Sequence, residues 1–414
     1  MKIETVRGGL CAVKGVRAYG IKEGHNGLAV IEGKGQAVGM YTASKIKAAP
    51  VLFTKRQLEG CEGQIQAIIA NSGCANSFTG EQGMRNAEKM AELAADSLGV
   101  KEEEIAVAST GPIGKQLDME LIERQLGHVV KGLTAEAAGS TAAAKAILTT
   151  DTFYKERAIR IDTGNEERVV IGGIAKGSGM IFPHLATATM LSFIYTDARL
   201  SEEIQRASFE DAVANSFNMV VVDGDMSTND LVLLVSTGQG GAISEGDFKE
   251  GLNFICKELA KLIARDGEGA TKFIEARVKG AASVADAKEA AKSIVRSPLV
   301  KSAIFGERPD FMCGRIIAAI GSCATVSGVD PGRISIGLKG EDKDKDKDKD
   351  KDKDKDKDKV SAVKNGEFMD MSGVAREVMR DKEIFIEVDL GIGESEATAW
   401  GCDLSYDYVK INSG

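Results

Sequence analysis

The chain has 414 residues, 43% of them apolar, 28% charged and only 5% aromatic. This length exceeds one ordinary core and the composition excludes wholesale disorder, so two or more subdomains or one large layered α/β unit is expected. A net charge of −9 with scattered basic residues leaves no footprint for nucleic acid; with no apolar run of about 18 residues and no signal-peptide layout, no membrane partner is expected, and the cytoplasm is the expected address.

Taken in chain order, "GLAVIEG" and "IQAIIANSG" read as strands, and "EQGMRNAEKMAELAADSLG" carries apolar residues at helical spacing. "DMELIERQLGHVVKGL" and "AEAAGSTAAAKAILTTD" read as helices, and "RVVIGGIAKGSGMI" as a strand entering a Gly-rich turn. "SEEIQRASFEDAVANSF" is a helix opened by a Ser N-cap, with acidic residues in its first turn. The second half repeats the alternation with the strand "DLVLLVSTG", the helix "FKEGLNFICKELAKLIARDG" ended by Gly, and the strand "TKFIEARVKGA". "VADAKEAAKSIVRSPLVKSAIFG" is predicted as one helix running towards a turn. From Glu341 to Lys359 Asp and Lys alternate, a pattern that cannot bury an apolar face, so 341–359 is predicted as a solvated, disordered insertion in a hairpin-like connection. The predicted class is mixed α/β.

The seven cysteines, Cys11, Cys61, Cys74, Cys256, Cys313, Cys323 and Cys402, are widely spaced with no C-x-x-C pair, which suits reduced thiols filling the core. Histidine is limited to His25, His128 and His184, none at a metal-ligand spacing. No G-x-S-x-G elbow accompanies them, so a Ser-His-Asp triad has no support. "DGDMSTND", Asp223 to Asp230, fails as a calcium loop, because Thr228 stands where Gly is required and Leu234 where Glu is required. "GKGQAVG" and "GGIAKGSG" match no nucleotide fingerprint.

What remains is "ATAT", Ala186 to Thr189, within an otherwise apolar run. A Thr hydroxyl needs a base to become a nucleophile, and the α-amine of an N-terminal Thr, with a pKa of about 7.7, can be that base. Thr187 and Thr189 are internal, so this chemistry requires a cut before one of them, by attack of its hydroxyl on the preceding Ala carbonyl. β-Branched residues also fill strands without any catalytic role, so the residues alone leave both readings open.

Longer motifs decide between them. "CAVKGVRAYGIKEG", "NSGCANSFTGEQG", "VASTGPIG", "LTTDT", "GGIAKGSGMI", "LATATML", "VDGDMSTNDLVLL", "GEGATKFIE", "SPLVKSAIFG" and "CDLSYDYVKIN", in this order, resemble the glutamate N-acetyltransferase/ornithine acetyltransferase family of arginine biosynthesis. The resemblance covers essentially the whole chain. It implies a layered α-β-β-α sandwich-like fold, self-cleaved into an α chain (1–186) and a β chain (187–414) that assemble as an α2β2 heterotetramer. It further implies acetyl transfer from N-acetylornithine to glutamate by the new N-terminal Thr, with acetyl-CoA as an additional donor in bifunctional members, and no cofactor or metal.

By the same resemblance Thr110 and Gly111 of "STG" form the oxyanion hole, and Lys176 of "AKGSGM" meets a substrate carboxylate. Thr150 of "LTTDT" is the substrate-binding threonine, with Thr152 as its alternative. Glu268 of "GEGATK" meets the substrate's amino end, and Asn412 of "VKIN" is a C-terminal substrate contact. Each has an ordinary structural reading beside this one: Lys176 and Glu268 as solvated charges, Thr110–Gly111 as a turn, Asn412 as a frayed terminus. The doubled Ala-Thr departs from the family's single Ala-Thr-Met-Leu. In a strand, two extra residues keep both hydroxyls on one face but move them by about 6.6 Å. Spacing from Lys176 favours Thr187, with the cut between Ala186 and Thr187, while spacing back from "MLSFIYTDA" favours Thr189. An N-terminal-threonine amidohydrolase or aminopeptidase and a catalytically impaired homologue are the competing readings.

Overall fold

The computed structural model describes residues 2–162, 168–182, 190–324, 326–341, 360–370 and 373–413. Ala186, Thr187, Thr189, His184 and all of the Asp/Lys segment beyond Glu341 lie outside the described residues. The strands are β1 Lys2–Val6, β2 Arg17–Glu23, β3 Asn26–Tyr41, β4 Gln64–Ser72, β5 Ile105–Thr110, β6 Lys155–Asp162, β7 Arg168–Lys176, β8 Leu191–Thr196, β9 Val220–Val221, β10 Leu231–Ser236, β11 Phe273–Ala281, β12 Ser335–Lys339, β13 Val360–Lys364, β14 Glu367–Phe368, β15 Glu383–Asp389 and β16 Ser395–Cys402. The helices are α1 Ala49–Gly60, α2 Gly80–Leu98, α3 Met119–Gly132, α4 Ala137–Ala146, α5 Glu202–Ala214, α6 Glu245–Arg265, α7 Val284–Arg296, α8 Pro298–Phe305, α9 Pro309–Gly321, α10 Val374–Arg380 and α11 Tyr406–Ser413. The fold is therefore mixed α/β, and no helix among the described residues is long and apolar enough to cross a membrane.

The chain packs as two discontinuous units, Met1–Asn218 with Asp225–Ile263, and Met219–Gly224 with Ala264–Gly414. The first holds a sheet in the order β1-β6-β7-β8-β10-β3-β4-β5, with β2 on β3. β3 is long enough to serve three partners: Gln36 to Tyr41 pair with β10, Asn26 to Glu32 with β2, and Gly27 to Gln36 with β4 across a bulge between Glu32 and Gly35. Successive residues of β3, β4 and β5 point to opposite faces. Leu28, Val30, Ile69 and Val107 pack with the apolar faces of α2 and α3, such as Met90, Ala94, Ile122 and Leu126. Ala29, Ile31, Ile68, Ala70, Ala106 and Ala108 join a separate core with Phe193, Tyr195, Leu231, Leu233 and Val235 from β8 and β10. Both faces are thus dry, which is why these strands read as continuous apolar runs.

The second unit holds the sheet β14-β13-β12-β15-β11-β16-β9. β15 alternates between buried Ile384, Ile386 and Val388 and half-exposed Glu387 and Asp389, the period-2 pattern of a strand with one dry face. β12 and β13 pair antiparallel, so the Asp/Lys segment does join the two arms of a hairpin. The stretch expected as one helix from Val284 is two. Pro298 cannot continue α7, because its ring would clash with the preceding turn. Ser297 adopts an extended conformation there, ends α7, and caps α8 by accepting from Val300 N. Elsewhere the predicted caps hold: Ser201 Oγ accepts from Ile204 N at the start of α5, with Glu202 and Glu203 in its first turn. All seven cysteines are free, and Cys74, Cys256, Cys313 and Cys402 are buried.

Candidate active site

Thr110 closes β5, 5% exposed, and Gly111 follows at φ 138°, a region that favours glycine. A Cβ on Gly111 would lie 2.6 Å from the Cys74 backbone nitrogen, so the turn after β5 is pressed against the loop after β4. That loop is itself wound unusually, with Asn76 at φ 46° and Phe78 at φ 58°. Hydrogen bonds join the two segments: Ala75 N donates to Pro112 O at 3.1 Å and Gly114 N to Ser77 O at 3.0 Å. Thr110 thus ends a strand and Gly111 is the bend that follows it, with the adjacent loop hydrogen-bonded just beyond the pair.

Lys176 ends β7 and is 3% exposed, so it is not a solvated surface charge. Its Nζ donates to Thr149 Oγ1 at 2.8 Å and stands 3.7 Å from Asp151 Oδ2. Asp151, whose side chain is fully buried, also accepts from Lys155 Nζ at 2.7 Å, Gly177 N at 2.7 Å and Thr149 N at 3.0 Å. Burial alone would push the Asp151 carboxyl up; the Lys176 and Lys155 ammonium groups and the Thr149 N–H outweigh it and hold it well below the usual carboxylate range. Two buried ammonium groups thus meet the Asp151 carboxylate, a concentration of cations that suits an incoming anion. Lys22 of β2 adds a third cation at its edge, donating to the Leu148 carbonyl and lying 3.4 Å from Ser72 Oγ. Partial burial lowers the Lys22 pKa, opposed by Asp151 and reinforced by Lys176. Ser72 is also the cross-strand partner of Thr110, so Lys22 connects the cationic cluster to the end of β5.

A second connection runs through 227–230. Asn229 Nδ2 donates to Ser109 O at 2.9 Å and to Ala75 O at 2.5 Å. Next to it, Asp230 is wholly buried, and among the described residues neither carboxylate oxygen has a hydrogen-bond partner. Burial raises its pKa well above the ordinary value, against weaker pulls from the Met190 N–H, which falls short of hydrogen-bond geometry, and from Lys176. Met190 is the first described residue after the Ala-Thr repeat, and its carbonyl accepts from Leu231 N at 3.0 Å. Met190 therefore lies beside Asp230.

The sequence motif around "LTTDT" pointed to Thr150, with Thr152 as alternative; both are exposed, and the threonine that touches Lys176 is Thr149. Asp151, Lys22, Asn229 and Asp230 went unremarked as site residues. In the second unit Glu268 is 8% exposed and accepts from Asn412 Nδ2 at 2.7 Å. Neither is then a free surface group, although Asn412 itself is exposed. The loop and α11 are tied further by Ser405 Oγ donating to Gly269 O at 2.6 Å and by Asp403 accepting from Thr271 N at 2.8 Å.

The ArgJ family model matches residues 13–414. A glutamate N-acetyltransferase of Methanosarcina mazei is 46% identical, over 99% of this chain and 99% of that protein. The arginine biosynthesis bifunctional protein ArgJ of Symbiobacterium thermophilum is also 46% identical, over 91% of this chain and 88% of its own. Among solved structures, that of the arginine biosynthesis bifunctional protein ArgJ from Bacillus halodurans is 34% identical, covering 53% of this chain and 96% of its own, with a TM-score of 0.45. With the family pattern running from residue 13 to the end and near-full-length relatives well above 30% identity, the chain belongs to the ArgJ family.

Proposed function

We propose that this chain is a self-processing acetyltransferase of arginine biosynthesis that moves an acetyl group from N2-acetyl-L-ornithine to L-glutamate. The observation that carries the reading is the buried cluster in which Lys155 and Lys176 share Asp151. Donor and acceptor differ at their side-chain ends but share an α-carboxylate, and one cationic site serves both in turn. Near full-length likeness to a glutamate N-acetyltransferase supports the same reading.

In the proposed sequence Thr187 Oγ attacks the Ala186 carbonyl, the acyl group moves from nitrogen to oxygen, and water hydrolyses the ester to leave Thr187 with a free amine. That amine takes the proton from Thr187 Oγ as it attacks the acetyl carbonyl of N-acetylornithine. The tetrahedral oxyanion is met by donors of Thr110 and Gly111, the class of interaction that commonly supplies several kcal/mol to acyl transfer. Ornithine departs with the proton, and the glutamate amine then attacks the acetyl-threonine ester by the same route. Glu268, with Asn412 on it, is the carboxylate proposed for the amino end of ornithine. Thr189 is the alternative nucleophile: a β chain beginning Thr-Met-Leu assigns it, and one beginning Thr-Ala-Thr assigns Thr187. The chains are proposed to assemble as α2β2.

Incubating purified protein with N-acetylornithine and glutamate should yield N-acetylglutamate and ornithine. A fully processed sample that transfers nothing refutes the reading, and acetate released at an undiminished rate without glutamate makes the protein a hydrolase. Replacing N-acetylornithine by acetyl-CoA tests the second donor of bifunctional members.

A further inference from the structure

We infer that Asn229 is a positioning residue for the acyl-transfer site, one side-chain amide that fixes Thr110 and Gly111 from both sides. The inference rests on the assignment of those two residues to the oxyanion hole. It gives a role to the "STND" segment, which as a calcium loop had none.

An oxyanion hole works only if its donors already point at the place where charge will develop. Thr110 and Gly111 lie at the end of β5, the last strand in the sheet order among the described residues, where Thr110 pairs with Ser72 of β4 and is bridged to Cys74. Strand ends of this kind splay unless something holds the last peptide planes. Here the Ser109 carbonyl, immediately before Thr110, accepts from Asn229 Nδ2 at 2.9 Å. The other proton of the same amide goes to the Ala75 carbonyl at 2.5 Å. Ala75 in turn donates its own N–H to the Pro112 carbonyl at 3.1 Å, immediately after Gly111. The chain is therefore gripped one residue before and one residue after the Thr110–Gly111 pair, and both grips lead back to one nitrogen.

Asn229 is suited to this and is itself over-determined. It is 5% exposed, and both its amide protons are used. Only an NH2 group can face two carbonyl oxygens, which settles which end of the amide is which. Its oxygen accepts from Thr228 Oγ1 at 2.6 Å, and its backbone N–H donates to Ser227 Oγ at 3.0 Å. The segment is anchored to the rest of the unit by Thr42 Oγ1 donating to Ser227 O at 2.6 Å, Ala48 N to Thr228 O at 2.9 Å and Thr42 N to Asp230 O at 3.0 Å. An aspartate could not replace Asn229, because a carboxylate would face two carbonyl dipoles.

A misplacement of about 1 Å in a reacting geometry can lower a rate by about 100-fold. For processed Asn229→Ala we expect kcat to fall by about 10- to 100-fold with KM for N-acetylornithine and glutamate unchanged. Acetylation and deacetylation of the enzyme, measured separately, should slow by a similar factor, since each forms a tetrahedral oxyanion held by the same donors. A protein merely loosened by the substitution would lose active fraction or substrate affinity without this common factor. Thr228→Val keeps the shape and removes only the hydroxyl that orients the Asn229 amide, and should lower kcat several-fold, again with KM unchanged. If Asn229→Ala does not fold, Thr228→Val decides alone. A folded variant with kcat within twofold of the wild type, or a change confined to KM, overturns the inference while active wild-type protein leaves the acetyltransferase reading standing. Processed wild-type protein that transfers no acetyl group overturns both.

Discussion

Replacing Asp151 by Asn removes the negative charge of the buried cluster with almost no change in side-chain shape. The variant keeps a carbonyl oxygen for one of the Thr149 and Gly177 N–H groups, which donate to different oxygens of Asp151, and removes the carboxylate that lies between Lys155 and Lys176, whose side chains are 0% and 3% exposed. Removing one partner of a buried pair costs about 3–5 kcal/mol, because the remaining charge stays desolvated. Thr149 Oγ1 and the Phe153 carbonyl still accept from the two ammonium groups, which places the expected loss near 3 kcal/mol. Urea unfolding followed by far-UV circular dichroism measures it. The pH dependence gives an independent check on the cause. The folded-state pKa of Asp151 lies far below that of an unfolded aspartate at about 3.9, so below that pH the unfolded chain binds a proton that the folded chain does not. Its contribution is thus complete at neutral pH and declines by up to about 1.4 kcal/mol per pH unit as the pH falls below about 4. The gap between wild type and Asp151→Asn should narrow over that range. A loss under about 1 kcal/mol at pH 7, the scale of a solvent-exposed pair, with no narrowing in acid, would refute the reasoning.

Asp230 reverses the sign. Its folded pKa is raised by burial, so between about 3.9 and that raised value the folded chain holds a proton that the unfolded chain releases, and stability falls as pH rises. Asp230→Asn should therefore be at least as stable as the wild type at pH 8 and should gain on it from pH 5 upward in thermal unfolding; a variant less stable at pH 8 than at pH 5 relative to wild type contradicts this. Lys176→Met should raise KM for N-acetylornithine by roughly 10- to 100-fold, the scale of a hydrogen bond to a charged group, with a smaller change in kcat. A substrate analogue carrying an α-carboxamide should bind the two proteins equally, and a preference retained by the variant would place the carboxylate elsewhere.

How much of this could be read from the sequence depended on the range of the interaction. Strands and helices followed from period-2 and period-3.6 patterns because each element buries its own face, as in β15 and α2. The break at Ser297 was equally local and was there to be seen in Pro298, whose missing N–H and fixed φ end a helix whatever surrounds it. Lys176, Thr110 and Glu268 were singled out through long motifs, although nothing in their spacing says that Lys176 is buried. That Thr149, and not Thr150 or Thr152, touches Lys176 depends on how 147–151 leaves α4 and not on residue type. Asn229 was out of reach for another reason. Its partners Ser109 and Ala75 are 120 and 154 residues away, and an Asn in an Asp- and Ser-rich stretch reads locally as a turn.

The position of the Ala-Thr repeat in the topology bears on what a cut there would do. Every strand from β1 to β7 precedes it, while β8 and β10 follow it, yet the sheet order places β8 and β10 between β7 and β3. β8 pairs with β7 from Leu191↔Lys176 to Thr196↔Ile171, and β10 pairs with β3 from Leu231↔Tyr41 to Ser236↔Gln36. The downstream product would thus supply the two central strands of a sheet whose flanks belong to the upstream product. Phe193, Tyr195, Leu231 and Leu233 of the one pack in a single core with Ala29, Ile31 and Ile68 of the other. Pulling the products apart would break two ladders and expose that core, so hydrolysis of one peptide bond cannot separate them. Processed protein should elute from a sizing column in one peak containing both chains in equal amounts, and resolve into two only in denaturant. Recovery of either chain alone from native buffer would show that the cut lies elsewhere than between β7 and β8.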